Sequence, residues 1–488
     1  PVFGSSNADT ISGTDSADYL LGLDGGDTLN GMAGADLLDG GIGFDTIRGG
    51  AGDDTLIGGA GYDSLYGDDD NDILYGGADS DRLDGGLGND KLYGGDQRDD
   101  LYGGDGDDEL HGGGNDYYVL DSNGNLVVNT SSDYERLEGG AGNDLIYGEE
   151  GKDFLVGGTG IDHLYGGAGN DSLNGGGQAA DGSTDVMEGG EGNDSYYIYE
   201  AGDQVIEQAN QGVDNVTYYL GGSWILPDNV ENASVYIGNS GIQLIGNLLD
   251  NEFRGGETKI EQRSDATLGK DIFTGGAGDD TYYLSYNDVA IEAANGGFDT
   301  VYTSAQSYKL GSDIESAITE RYQAGTSQYS FYRYLTGNDL DNSLRAGTSE
   351  DTSLSGEAGN DVLIGLRGND SLDGGTGNNE LVGGGGNDNF YARGTTDKVV
   401  VGDGSSNIYL NAGTASISLG VASTARINAG SGQYSIAFTG LSLADLHVIA
   451  SSNTLTISYS RSSYYGYTSV STASLDKLGV ITTLDGTM

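Results

Sequence analysis

Three kinds of residue are scarce or missing in this chain: cysteine, proline and the basic residues. Cysteine is absent and proline occurs only at Pro1 and Pro227, which excludes disulfides, thiol chemistry and collagen-like or proline-rich architecture. Lysine and arginine number 20 against 77 acidic residues, so the formal net charge is −57. Because such a field repels nucleic acid and anionic membrane surfaces, we expect neither as a partner.

Long apolar segments are missing as well. No run approaches the length of a membrane span, and no N-terminal signal peptide is visible. The chain begins at Pro1 without an initiator methionine, so we expect that upstream sequence has been removed or left out.

The common signatures of catalysis are also lacking. There is no H-E-x-x-H zinc motif and no G-x-S-x-G elbow, and His111, His163 and His447 stand isolated in the sequence. Adjacent acids such as Asp53 and Asp54 fall in turns, where they are interpreted as ligands or solvated residues rather than a glycosidase pair. The sequence therefore predicts a protein that is not an enzyme.

Glycine is abundant, with 90 residues, and its placement is periodic. From residue 4 to residue 111 the chain runs through nine-residue units without a gap, such as GGAGDDTLI at 49–57 and GGLGNDKLY at 85–93. Such fixed periodicity indicates a repeat architecture. Aspartate occupies the sixth position of every unit: Asp9, Asp18, Asp27, Asp36, Asp45, Asp54, Asp63, Asp72, Asp81, Asp90, Asp99 and Asp108.

The chemistry of the unit follows from its residue types. A glycine-rich turn adopts backbone conformations closed to other residues and leaves carbonyl groups free to face an ion. Aspartate supplies the hard oxygen donor that calcium prefers. The apolar eighth residue is predicted to point inward from a three-residue strand, while its neighbours at positions seven and nine point outward.

These units resemble the RTX, or haemolysin-type calcium-binding, nonapeptide G-G-x-G-x-D-x-U-x, which recurs at 139–174, 275–283 and 356–391. The resemblance implies an all-β fold, a right-handed parallel β-roll or β-helix solenoid. Two units would form one coil, so that residues eighteen apart stack. It also implies several Ca²⁺ ions between neighbouring coils, held by sixth-position carboxylates and turn carbonyls.

The later blocks add further predicted calcium ligands, while Asn379 weakens one site and Asp397 is a further candidate. The added ligands are Asp116, Asp144, Asp153, Asp162, Asp171, Asp185, Asp194, Asp280, Asp351, Asp361, Asp370 and Asp388. Without calcium, the glycine- and aspartate-rich composition predicts a disordered chain.

The spacing of the repeats predicts several blocks separated by strand-rich interruptions. The predicted segments are a first roll 1–120, an interruption 121–138, a second roll 139–197, an interruption 198–245, a third short block 246–283, an interruption 284–336, a fourth roll 337–400, a calcium-poor continuation 401–437 and a C-terminal β cap 438–488.

Two of the interruptions look like copies of each other. GDQVIEQANQGVDNV at 202–216 aligns with NDVAIEAANGGFDTV at 287–301, and we interpret both as longer rungs that continue or flank the coil. The continuation 401–437 keeps the nine-residue spacing but places Asn407, Ser416, Ala425 and Tyr434 at the sixth position. The coil is therefore expected to continue there without calcium.

Aromatic residues supply a second pattern among the 33 tyrosines. Tyr75 and Tyr93 are eighteen apart at outward positions, as are Tyr147 and Tyr165. Stacking within one molecule is the favoured interpretation, and a lateral contact surface is the alternative. Trp224 is interpreted as a packed anchor rather than a sugar platform.

The sequence thus predicts a secreted, calcium-folded structural protein that self-assembles at the cell surface as a surface layer, sheath or filament. Its partners would be copies of itself, with cell-surface polysaccharide as another candidate. The resemblance implies export of the unfolded chain by type I secretion, directed by a signal in the last residues. The alternatives are the C-terminal part of a secreted RTX enzyme or toxin, and an RTX adhesin.

Overall fold

The computed structural model describes most of the chain in two compact units, Pro1–Tyr236 and Ile237–Met488. The backbone is described for residues 1–114, 117–120, 126–129, 135–176, 182–236, 241–255, 270–285, 287–319, 332–347, 350–410, 414–419, 423–429, 434–439, 446–451, 454–461, 464–472 and 478–483. Side chains are described within these ranges except at 117–120 and 126–129, and after residue 410 only at 415–418 and 425–427.

The described part of the first unit is built from β-strands. They are β1 Val2–Phe3, β2 Thr10–Ser12, β3 Tyr19–Asp24, β4 Thr28–Ala33, β5 Leu37–Ile42, β6 Thr46–Ala51, β7 Thr55–Ala60, β8 Ser64–Asp69, β9 Ile73–Ala78, β10 Arg82–Leu87, β11 Lys91–Asp96, β12 Asp100–Asp105, β13 Glu109–Gly114, β14 Tyr117–Leu120, β15 Leu126–Asn129, β16 Arg136–Ala141, β17 Leu145–Glu150, β18 Phe154–Thr159, β19 His163–Ala168, β20 Ser172–Gly176, β21 Val186–Glu191, β22 Ser195–Ile198, β23 Gln204–Ile206, β24 Asn215–Tyr218, β25 Gly222–Ile225 and β26 Asn232–Val235.

Alternate strands of the first unit belong to two parallel sheets. One sheet follows β1–β3–β5–β7–β9–β11–β13–β17–β19–β21–β23, and the strands between them pair with one another in the same way, as β8 does with β10 and β10 with β12. Leu56 pairs with Leu74 and Leu74 with Leu92, so one coil contains two nonapeptides. The predicted β-solenoid with an eighteen-residue coil is confirmed.

The core is a column of apolar side chains from the eighth position of each unit. Leu56, Leu65, Leu74 and Leu83 have no exposed surface, and burying each such side chain contributes about 1.5–3 kcal/mol. Strands such as β7 are six residues long rather than the predicted three, because they run on through the first two glycines of the next unit. Gly59 shows why glycine is needed there: its φ is 116°, and a Cβ would collide with the carbonyl oxygen of Gly41 in the preceding coil.

The solenoid continues through the interruptions of the first unit. After β13 the chain leaves the coil to form the antiparallel pair β14–β15, and it re-enters at β16, where Arg136 pairs with Asp100. Further on, β22, β24 and β26 pair in parallel. The segment 202–216 and the strands around it are therefore rungs of the solenoid.

The second unit is likewise built from strands in its described part. They are β27 Ile242–Ile245, β28 Glu252–Arg254, β29 Ile272–Thr274, β30 Thr281–Leu284, β31 Val289–Ile291, β32 Thr300–Thr303, β33 Ser307–Lys309, β34 Ser316–Thr319, β35 Arg333–Thr336, β36 Ser343–Arg345, β37 Thr352–Ser355, β38 Val362–Ile364, β39 Ser371–Asp373, β40 Glu380–Val382, β41 Asn389–Ala392, β42 Thr396–Val401, β43 Gly404–Leu410, β44 Thr414–Leu419, β45 Ser423–Ala429, β46 Tyr434–Thr439, β47 Leu446–Ser451, β48 Thr454–Arg461, β49 Tyr464–Thr472 and β50 Leu478–Thr483.

Parallel pairing also organises the second unit. One set of strands runs from β28 through β30, β32 and β34 to β46 and β50, and another from β33 through β35 to β45 and β49. The second interruption thus continues the coil, as β30 pairs with β32 and β32 with β34. Near the end of the chain β47 pairs antiparallel with β48, and β48 with β49; that this region is a C-terminal cap stays a prediction.

Candidate calcium sites

The sixth-position aspartates of alternate units form two buried columns on the turns of the coil, together called the column. The backbone N–H of Asp54 donates to Oδ1 of Asp72 at 2.7 Å, and that of Asp63 donates to Oδ1 of Asp81 at 2.8 Å, each across eighteen residues. The column exists because the coil repeats every eighteen residues and places each turn directly over the equivalent turn. One carboxylate oxygen per residue is thereby occupied.

The second oxygen, Oδ2, is buried and accepts no hydrogen bond. A buried carboxylate oxygen without a hydrogen-bond partner is costly, so its repetition in coil after coil indicates that these oxygens are ligands for a cation. This state is shared by Asp27, Asp36, Asp45, Asp54, Asp63, Asp72, Asp81, Asp90, Asp99, Asp108, Asp144, Asp171, Asp194, Asp280, Asp299, Asp361, Asp370 and Asp388.

Apart from Oδ2 of Asp299, each of these oxygens faces a space beside a glycine that a side chain would fill. A Cβ placed on Gly40 would lie 2.5 Å from Oδ2 of Asp45 and 2.8 Å from the carbonyl oxygen of Gly58 in the next coil. Carboxylate and carbonyl oxygens therefore converge on the space beside the first glycine of the unit. This donor set fits calcium, which takes oxygen ligands of both kinds.

In many of these aspartates, burial raises the pKa of the carboxyl group. Burial raises the pKa of Asp72, Asp81, Asp99 and Asp144 to about 8, against an ordinary value of 3.8. The hydrogen bond that each carboxylate accepts from the backbone N–H of the aspartate in the preceding coil offsets only part of that rise. The charged form is disfavoured because burial removes the carboxylate from water. Calcium held by these carboxylates would supply the positive charge that lets them ionise inside the fold.

The structure places the predicted ligands in three groups. The first-roll residues from Asp27 to Asp108 lie in the buried column, as do Asp144, Asp153, Asp162, Asp171, Asp185, Asp194, Asp280, Asp361, Asp370 and Asp388. Asp9 and Asp18, at the start of the roll, are half-buried, and their Oδ2 atoms accept hydrogen bonds from Ser5 and Thr14. Asp116 lies outside the described residues.

Two positions differ from the predicted frame. Thr352, not Asp351, occupies the column, because the N–H of Thr352 donates to Oδ1 of Asp370 at 2.7 Å. Asp351 sits one position earlier and accepts a hydrogen bond from Asn369. In the continuation, Ser406 rather than Asn407 follows Asp388 in the column.

Sequence reasoning missed the acids that carry the column through the interruptions. Glu135 takes the column position where the coil resumes, its N–H donating to Oδ1 of Asp153. Asp214 accepts from Asp194 and Asp299 accepts from Asp280, both at 2.8 Å. The alignment of 202–216 with 287–301 contained a signal for the latter two, since both copies keep this aspartate.

The aromatic pattern resolves into a stack along one face of the first unit. The rings of Tyr75, Tyr93, His111, Tyr147 and Tyr165 lie nearly parallel, with successive centroids 4.8–5.0 Å apart. Stacking within one molecule is therefore what the structure shows, and the ring faces cover one another. The ring edges remain outward, and Tyr75 is 40% exposed.

Trp224 packs at the end of the first unit. It is half-buried and stacks on Tyr218, with the ring centroids 5.5 Å apart. This contact agrees with its interpretation as a packed anchor.

Comparison with known protein families identifies the repeat units that form the column. The RTX calcium-binding nonapeptide repeat matches residues 3–125, 135–197, 264–285 and 336–408 in overlapping segments, which is more than half of the chain. The chain belongs to the RTX calcium-binding repeat family. Its repeats bind calcium ions in several copies, consistent with the orphaned Oδ2 atoms and the carbonyl-lined hollows.

One curated relative shares a short segment with this RTX protein. It is the endo-1,3-1,4-beta-glycanase ExsH of Rhizobium meliloti (strain 1021), 40% identical over 70 residues. The shared segment covers 14% of this chain and 14% of that protein. Among the described residues there is no helix long and apolar enough to cross a membrane.

Proposed function

We propose that this RTX protein is a secreted structural protein that folds when it meets calcium and assembles with copies of itself at the cell surface. A surface layer, a sheath or an extracellular filament is the form we expect. The observation that carries the proposal is the extent of the solenoid: its coils account for nearly all of the described strands. Within residues 1–488 the repeat solenoid is then the main structural element.

The column of buried carboxylates supports the calcium-dependent step. Without a cation, ionised carboxylates destabilise the folded coil. Burial disfavours their charged form, as the raised pKa values show, and neighbouring aspartates repel one another. With calcium the same groups hold adjacent turns together. A chain that is extended where free calcium is scarce and folded where it is plentiful suits type I secretion, and an extracellular location is part of this proposal.

The tyrosine stack supports the assembly step. Five rings with their edges outward form a stiff strip along one face of the first unit, and rigid amphipathic rings suit contact between proteins because little entropy is lost on association. We propose this strip as a surface through which neighbouring copies meet.

Electron microscopy of the full chain tests the assembly. In millimolar calcium we expect ordered sheets or filaments, and excess chelator should dissolve them together with the β-signal in circular dichroism. Full β-signal with particles that stay monomeric in millimolar calcium would contradict self-assembly and leave calcium binding intact.

A second candidate rests on the shared segment with the glycanase. In that case the chain is the calcium-binding part of a larger secreted enzyme, and the catalytic region lies elsewhere in the native product. The intact mass of the native product, with an assay of that product on a mixed-linkage 1,3-1,4-β-glucan, separates the two. Hydrolysis by a product longer than 488 residues would favour the enzyme.

A further inference from the structure

Two buried clusters of three carboxylates lie where the solenoid passes from nonapeptide coils into the two copied interruptions. One contains Asp194, Glu207 and Asp214, and the other contains Asp280, Glu292 and Asp299. In each cluster one oxygen from every residue lies within 4.8 Å of the others. The four aspartates are at most 1% exposed, and the two glutamates 6% and 8%.

These clusters differ from an ordinary coil in what faces the first glycine of the unit. In a nonapeptide coil, Oδ2 of the aspartate meets a backbone carbonyl there. At Gly189 the same space receives Oδ2 of Asp194, Oη of Tyr196 and Oε1 of Glu207, and a Cβ would collide with all three. Gly275 repeats the arrangement with Asp280, Tyr282 and Glu292. At both glycines a glutamate oxygen and a tyrosine hydroxyl are therefore closer to this space than any backbone carbonyl.

Tyrosine fixes the added glutamate in place. Tyr196 and Tyr282 occupy the inward position where other units carry leucine, and both are fully buried. The hydroxyl of Tyr196 donates to Oε1 of Glu207, and that of Tyr282 donates to Oε1 of Glu292. Each tyrosine therefore acts as a positioning residue that aims one glutamate into the hollow.

The clusters concentrate negative charge that the protein does not neutralise. No lysine or arginine in the described ranges forms an ion pair with these six carboxylates. Oδ2 of Asp194, Asp280 and Asp299 is buried without a hydrogen-bond partner. Buried charges are ordinarily paired or coordinate a metal, so unpartnered oxygens aimed into a shared hollow point to a bound cation.

We propose that each cluster binds one divalent cation, calcium by its oxygen-only donor set, at a site distinct in composition from the nonapeptide sites. With its glutamate, each cluster offers one carboxylate more than a pair of column aspartates in neighbouring nonapeptide coils, and calcium affinity rises with the number of charged ligands. The two clusters are therefore the tightest calcium sites in the described part of the chain, by about tenfold. These two sites bind calcium before the nonapeptide sites do, and the bound ions stabilise the ends of the repeat blocks in which the sites lie. The inference does not depend on self-assembly.

Equilibrium dialysis with calcium tests the proposal on the full chain. We expect two ions in the tightest class for the unaltered protein, one for Glu207→Gln or Glu292→Gln, and none for the double variant. Tyr196→Phe and Tyr282→Phe should keep the ion count but weaken the tight class several-fold, since the carboxylates remain. Glu191→Gln, at an exposed glutamate of the same block, is the matched control. An unchanged tight class in the double variant overturns the proposal.

A measurement on the unaltered chain covers the case in which the glutamine variants do not fold. Crystals of the full chain soaked in terbium should show anomalous density at both clusters at the lowest metal concentration that gives any peak. Peaks confined to the nonapeptide turns, with none beside Gly189 or Gly275, overturn the proposal as surely as unchanged dialysis would.

Discussion

The roll at 4–111 and the strands from β43 to β45 have the same coil geometry but carry different residues at the column position. In the roll the column holds aspartate in every unit. In the later segment Ser406 follows Asp388 and pairs with Ala425, and Ala415 pairs with the preceding Asp397, so the three later positions hold Ser406, Ala415 and Ala425 and no carboxylate. The apolar column is unchanged, since Ile408 and Ile417 are as fully buried as Leu83.

This difference separates two contributions to the stability of the coil, which are combined in each calcium-binding repeat. Apolar stacking and the parallel hydrogen-bond ladder define the path of the coil and do not require a cation. The carboxylate column makes the stability of that path conditional, because without calcium it adds buried charge and with calcium it adds ligand bonds. Calcium dependence is therefore a property of the turns, and the coil geometry is a property of the strands.

Removing calcium should produce the largest effect. Hydrogen exchange measured by mass spectrometry, with and without excess chelator, should show near-complete loss of protection over β3 to β13. Strands β43 and β44 should retain more of theirs, because their turns carry no buried carboxylate to be left unpaired. Equal loss in both segments would mean that the calcium-poor coil has no stability of its own.

Acidification should partly replace calcium in the roll. The folded-state pKa of Asp81 and Asp99 is raised to about 8 from 3.8, so the calcium-free folded state binds more protons than the unfolded state between those values. Its stability is therefore greatest below the unfolded pKa and is lost as the pH rises toward 8. Circular dichroism of the calcium-free chain should show β-signal increasing from pH 8 to pH 4, whereas a flat profile would contradict this linkage.

Asp99→Asn should have opposite effects with and without calcium. Asp99 is fully buried, and asparagine keeps an acceptor for the N–H of Asp81, which donates to Oδ1 at 2.7 Å, while the charge is removed. At calcium about 100-fold above the dissociation constant, losing one ion costs about 3 kcal/mol. In chelator the variant should be the more stable of the two.

Denaturant titration of both states measures this crossover. Asp105→Asn, at an exposed position of the next strand, is the control and should change neither state appreciably. A loss of stability in both states would show that Asp99 acts through its hydrogen bonds rather than through calcium.

Asn379→Asp should have a smaller effect in the opposite direction. Asn379 is buried in the column of the fourth block, receives the N–H of Asp361 at 2.9 Å and lies beside Gly374. A carboxylate there should cost about 1–3 kcal/mol in chelator and recover it in calcium by completing a site. Thermal melting in both conditions checks this, with the exposed neighbour change Asn378→Asp as control, and no calcium-dependent gain would contradict it.

Much of the candidate site could be predicted because the nonapeptide keeps its register. Wherever units follow one another without a gap, the sixth residue lies in the carboxylate column and the eighth lies in the apolar core, as Asp54 and Leu56 do. Prediction failed where an insertion breaks the frame. Asp351 was placed in the column although Thr352 fills it, and Glu135 was overlooked, because the length of an excursion does not reveal which residue resumes the coil.

The sequence by itself determined the unit: its turn glycines, its carboxylate, its inward leucine and the eighteen-residue coil that stacks them. These are local properties that repeat, so one unit predicts the next. The tertiary structure decided which residues of the irregular segments join the column, and it brought Glu207 and Glu292 beside aspartates from neighbouring coils. That depends on strand register across coils, which non-local backbone pairing sets and which no single unit contains.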